Sequence, residues 1–136
     1  MELNQGLTHI AALYAALLGL LGAALTINVI RKRVAFKVDA GDGGNPALAQ
    51  AIRAHANFAE QTPLALLLIL CAEATGASAI VLHGLGAALL FARLANAWGL
   101  SHSLGATMQR QVGAGLTLLV IGVSALVTLY NLGFGR

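Results

Sequence analysis

Apolar residues fill this chain in four long blocks, each too long for a strand and each closed by a short polar break. The first is Leu7–Ile30. As a helix it is about 36 Å long, enough to cross a bilayer core with some tilt. It stops at RKRVAFK. The second runs from Pro46 to Ala74; it is apolar from Pro63 to Ala72 and interrupted by polar groups in its first half. The third is Ala77–Trp98 and the fourth Val112–Leu132. No period-two alternation competes, which argues against both a sheet and a membrane barrel. The pattern predicts an all-α, integral membrane four-helix bundle formed as a single domain over residues 1–136.

The breaks fix an orientation. Loop one, residues 31–45, holds Arg31, Lys32, Arg33 and Lys37. Loop two is a short uncharged TGAS turn, and loop three, residues 99–111, ends in Arg110. In a four-span protein loops one and three share a side. Both carry positive charge, so that side is expected to be cytoplasmic and both termini periplasmic, in a bacterial inner membrane. The N-terminal segment lacks a basic n-region and its apolar run exceeds an h-region, so it reads as a retained first span. The glycines of AGDGGNPALAQ follow no strand and lack the Walker lysine, which argues against a phosphate loop. They read as a tight turn, with Asn45 as N-cap and Pro46 as first helical residue of the second helix.

Composition sharpens this picture. Hydrophobic residues make up 58% of the chain and charged residues 10%, against about a quarter charged in a soluble domain. Such a surface needs lipid as its partner. Eight basic residues stand against five acidic ones, too few for the clustered face that nucleic acid requires. Cys71 is alone, so no intrachain disulfide forms. His9, His55, His83 and His102 show no metal-ligand spacing, and no metal is expected. Small residues recur at helix-packing intervals at Ala15, Gly19 and Gly22, and at Gly113 and Gly115. Trp98 reads as an interfacial belt residue.

The candidate chemistry lies in AIRAHANFAE, residues 51–60. At about 100° per residue, Arg53, Asn57 and Glu60 fall within about 60° of one another on one helix face, while His55 points roughly opposite. Ionisable groups in a membrane helix are costly and are functional candidates by default. Two readings follow. As structural glue, Arg53 and Glu60 satisfy each other or neighbouring helices; two turns separate them, which makes a direct pair awkward and a bridged one possible. As a site, a cation, an amide and an anion in line suit a zwitterionic ligand, the arginine taking a carboxylate in a two-pronged fork. Arg93 and Asn96, one turn apart on the third helix, face the same pocket or snorkel. Glu73 and His83 flank the outer turn and read as surface residues.

The pattern R-x-x-x-N-x-x-E-x-x-P in RAHANFAEQTPL, with RKRVAFKV before it and FARLANAWG on the third span, resembles the MAPEG family, membrane-associated proteins in eicosanoid and glutathione metabolism. The resemblance covers nearly the whole chain and is closest to the small bacterial branch. It implies a homotrimer with glutathione bound between subunits at the cytoplasmic side, and glutathione transferase or peroxidase chemistry on a small lipophilic substrate. Matched by motif, Arg53, Asn57 and Glu60 are ligand contacts. Arg33 and His55 match contacts made from the neighbouring subunit. The family's thiolate-stabilising arginine lies near the start of span four; Arg110 is the nearest candidate, with Thr107 at the strict position. The tyrosines of eicosanoid-synthesising members match Gln61, Asn96 and Leu100, none of which is tyrosine. Two other readings stand beside this one: a small proton-coupled multidrug transporter using Glu60, and a non-catalytic membrane scaffold. Arg53 on the face of Glu60 discriminates, because a cation there hinders a cationic drug.

Overall fold

The computed structural model describes residues 9–102, 105 and 107–135. They form four helices: α1 (Ile10–Phe36), α2 (Pro46–Ala74), α3 (Ala79–His102) and α4 (Met108–Phe134). The predicted start of the first span at Leu7 lies outside the described residues.

Helix bounds depart from the hydropathy blocks by four residues or more in three places, because hydropathy marks where lipid ends rather than where the backbone ladder ends. α1 continues past Ile30 to Phe36, since arginine and lysine are good helix formers. It stops at Lys37, which adopts a left-handed conformation (φ 55°). There the Val38 N–H donates to the Arg33 carbonyl (3.1 Å) and the Lys37 N–H to that of Val34 (3.3 Å), the paired bonds of a Schellman cap. α3 extends four residues beyond Trp98. α4 starts at Met108 rather than Val112, because the Thr107 hydroxyl accepts the Arg110 N–H (3.3 Å) and caps the helix there. Arg110 therefore sits in the first turn of α4, not in loop three. The start of α2 is as the sequence predicts: Asn45 Oδ1 accepts from the N–H groups of Ala47 (2.9 Å) and Leu48 (3.1 Å), with Pro46 next.

α2 and α3 form the centre of the bundle. α2 touches each of the other helices, α3 does likewise, and α1 and α4 flank them without meeting among the described residues. One core cluster joins Tyr14 and Leu18 of α1, Ile69 of α2, Leu89 of α3 and Val120 of α4. A smaller one joins Leu25, Ala54 and Leu100. Large apolar side chains remain exposed on every helix, among them Leu20, Leu67, Ile80 and Leu118. Three helices, α1, α3 and α4, are long and apolar enough to cross a membrane. α2 is not among them, because its first half carries the polar stripe.

The two ends of the bundle differ in charge. Loops one and three share one end, and every described Lys and Arg lies on that side. At the other end Glu73, expected at the surface, is buried. Its carboxylate accepts the N–H groups of Ile10 (2.7 Å) and Ala11 (3.1 Å), capping α1 from the end of α2. Those first-turn donors have no partner within their own helix, and an anion there also complements the helix dipole. His83 is exposed as expected, with its Nδ1 3.2 Å from the Tyr14 hydroxyl. Glu73→Leu should leave both donors orphaned and cost about 1–3 kcal/mol. In a detergent thermal melt it should fall below the parent, with Glu73→Gln between them. A leucine variant melting with the parent would show that the carboxylate does not hold α1.

Candidate functional site

The polar stripe of α2 lies at the margin of the bundle, with Arg53 and Glu60 on its outer side and Asn57 on its inner edge. Arg53 and Glu60 are half exposed, at 48% and 53%, and pair directly: Arg53 Nη1 lies 3.3 Å from Glu60 Oε1. The two-turn gap that made a direct pair awkward is spanned by the reach of the two side chains. Exposed pairs of this kind contribute about 0–1 kcal/mol, so a ligand that takes over both charges displaces little. Arg53 also lines a cavity of about 290 Å³ with Gly41 and Asp42 of loop one and Ala49, Ile52 and Ala56 of α2.

Asn57, one turn beyond Arg53, faces inward. It lines a cavity of about 230 Å³ with Asn96 of α3 and Arg110, Gln111 and Ala114 of α4. The Asn96 Nδ2 donates to the Arg110 carbonyl (3.4 Å), tying α3 to the first turn of α4. The Arg110 guanidinium donates through Nη1 to the Gly105 carbonyl. α4 approaches closely here because Gly99 is bare: a Cβ on it would stand 2.9 Å from Arg110 Cγ and from Thr107 Oγ1. Thr107 serves as the helix cap.

Arg93 neither snorkels nor lines that cavity. It is buried at 2% exposure, and its Nη1 donates to Asn57 Oδ1 (3.0 Å) and to the Asn57 carbonyl (3.4 Å). Its Nε and Nη2 are buried without a partner. An arginine inside an apolar helix, one turn from Asn96, is the sequence signal for an inward role; spacing alone does not connect it to Asn57 on another helix.

The remaining candidates stay apart within one chain. Arg33, near the end of α1, donates through Nη1 to the Gly41 carbonyl (2.8 Å) and more weakly to that of Val38 (3.4 Å), gripping loop one. His55 is half-buried, and its side chain makes no hydrogen bond among the described residues. Gln61 is half-buried; Asn96 and Leu100 are buried in the bundle. No group of three His, Cys, Asp or Glu side chains among the described residues is placed to hold a metal ion.

The arrangement can bind an acceptor-rich ligand. Three carboxamides (Asn57, Asn96 and Gln111) and one arginine, Arg110, line the inner cavity, and a cation–anion pair stands on the adjacent outer face of α2. The family model described as the MAPEG family matches residues 11–130 of this chain. The chain is also 40% identical over 95 residues to the inner membrane protein YecN of Escherichia coli strain K12, an alignment covering 70% of this chain and 72% of that protein. YecN of Escherichia coli O6:H1 strain CFT073 matches with the same identity and coverage.

Proposed function

Starting from the premise that this chain belongs to the MAPEG family, we propose that it is a glutathione-binding inner-membrane protein that uses the bound thiolate against lipophilic electrophiles or hydroperoxides. The observation that carries the reading is the cavity shared by Asn57 and Arg110. It brings a motif residue of α2 to the arginine that starts α4. At about 230 Å³ it is smaller than the roughly 300–1,000 Å³ of ordinary ligand pockets. A tripeptide needs more wall than one subunit offers, which supports a homotrimer whose neighbours supply Arg33 and His55. The apolar side chains exposed on every helix suit both lipid and partner subunits.

In this reading α2 is a fourth span, tolerated in the bilayer because Asn57 faces the other helices of its own bundle, Arg53 and Glu60 face a neighbouring subunit, and all three lie toward the cytoplasmic end. Loops one and three face the cytoplasm and both termini the periplasm. Arg53 takes a carboxylate of glutathione and Glu60 its ammonium, exchanging their own pair for the ligand. Asn57 and Arg110 meet a more inward group, with Arg110 favouring the thiolate. Lipophilic co-substrates enter from the bilayer. The direct contact of Glu60 with Arg53 weighs against the transporter reading, since that carboxylate already holds a cation.

Calorimetry of the detergent-purified protein with glutathione tests the reading, paired with conjugation and peroxidase assays. The parent should bind. Arg53→Leu and Glu60→Gln should each weaken binding about ten- to a hundredfold, as expected for losing a hydrogen bond to a charged group, while remaining folded and trimeric by mass. Both variants binding as the parent does would remove the stripe from the site, and absence of binding by the parent would end the proposal.

A further inference from the structure

Asn57 is the one residue common to the buried arginine and the inner cavity. Its carboxamide has two unlike ends, an oxygen that accepts and a nitrogen that donates. Arginine offers only donors. The Asn57 end 3.0 Å from Arg93 Nη1 is therefore fixed as oxygen by chemistry. The Nδ2 end makes no hydrogen bond to any described residue, and Asn57 borders the cavity of Asn96, Arg110 and Gln111.

Arg93 is poorly explained as packing glue. It is nearly fully buried, two of its nitrogens lack partners, and no carboxylate among the described residues pairs with it. A leucine there would fill the bundle without the cost of burying an unpaired cation. What the guanidinium does achieve is a double grip on one residue, the carbonyl and the side-chain oxygen of Asn57.

We propose that Arg93 is a positioning residue: by holding the Asn57 carboxamide oxygen it turns the amide nitrogen toward the Arg110 cavity, so that the ligand group seated there must be a hydrogen-bond acceptor. Resting on the glutathione reading, this assigns the position to the sulfur, as thiolate, or to a carbonyl or carboxylate oxygen of the peptide. It excludes the ammonium, which belongs on the Glu60 side. A freed Asn57 would present either end, and the cavity would lose its preference.

The test has a ligand-free arm and a ligand arm. In the first, asparagine-selective nitrogen-15 labelling reports the side-chain amides, with the Asn57 pair identified by its loss in Asn57→Asp. The parent and Arg93→Lys should show one Asn57 pair. Arg93→Met should shift it and split or broaden it as both orientations become populated. An unchanged pair in Arg93→Met overturns the inference, whatever glutathione does. In the second arm, Asn57→Asp keeps an oxygen for Arg93 and should melt no lower than the parent, yet it turns an acceptor toward the cavity and should weaken glutathione at least tenfold. An aspartate variant that binds as the parent does, or melts well below it, overturns the inference even if Arg93→Met fails to fold. S-methylglutathione separates the sources: a loss confined to glutathione assigns the sulfur, and an equal loss assigns a peptide oxygen. A parent that binds no glutathione sinks the functional reading alone, and the amide spectrum and the aspartate melt then decide the role of Arg93.

Discussion

Arg110→Ala should leave glutathione bound within a few-fold of the parent yet remove most of its thiolate at neutral pH. A free thiol titrates at about 8.5, so only a few per cent is ionised at neutrality. An opposite charge within a few ångströms lowers such a value by about 1–3 units, a ten- to thousandfold change in the thiolate-to-thiol ratio. Arg110 suits this task because it is anchored at both ends. Its backbone N–H is held by Thr107 and its guanidinium by the Gly105 carbonyl. The N-terminus of α4 adds a partial positive charge of its own. On the proposed glutathione reading, affinity rests mainly on the charges of the α2 stripe, which the substitution leaves intact. The ultraviolet absorbance of the bound thiolate, followed against pH, is the measurement. The parent should keep its thiolate signal to lower pH than the alanine variant, with Arg110→Lys between them. If the two curves superimpose, Arg110 has no part in ionising the thiol, and Arg33 becomes the candidate.

Gly113→Val is expected to damage the fold severely. A Cβ at residue 113 would lie 2.7 Å from the Ala92 carbonyl oxygen and 3.0–3.1 Å from the Cβ and backbone nitrogen of Asn96. These are mainly backbone atoms of α3, which cannot rotate aside as a side-chain tip can. The helices must separate, at a cost of about 1–3 kcal/mol or more. The separation would also pull Asn96 away from Arg110. Gly115→Val is the control two residues away, where a Cβ meets nothing within 4 Å. Thermal melts in detergent should show a drop of several degrees for the first and little change for the second. Equal melting temperatures would mean that the close approach of α3 and α4 is not required for stability.

That pair of glycines shows where sequence reading stops. Both stood out as small residues at packing spacing, and only one lies in an interface. The same division holds in α1, where a Cβ on Gly22 would strike the Phe58 ring and one on Gly19 would meet nothing. Spacing identifies a helix face able to pack closely, but which face meets a neighbour depends on the relative rotation of two helices. Glu73 follows the same logic. At the end of an apolar helix it looked like a surface charge, and its burial comes from α1 residues 62 and 63 positions away in the chain.

The sequence by itself determined the all-α class, the four helices, the capped start of α2, the gathering of positive charge at one end and the polar stripe of Arg53, Asn57 and Glu60. Each of these follows from local chemistry or from a period along one helix, and both are written in consecutive residues. Only the tertiary structure decided that Arg53 closes directly on Glu60, that Arg93 turns inward to hold Asn57, and that Arg110 shares a cavity with that same asparagine. Those facts rest on the rotation and vertical register of helices joined by loops. Register is set by how whole faces pack, a sum over many weak contacts that no single period records.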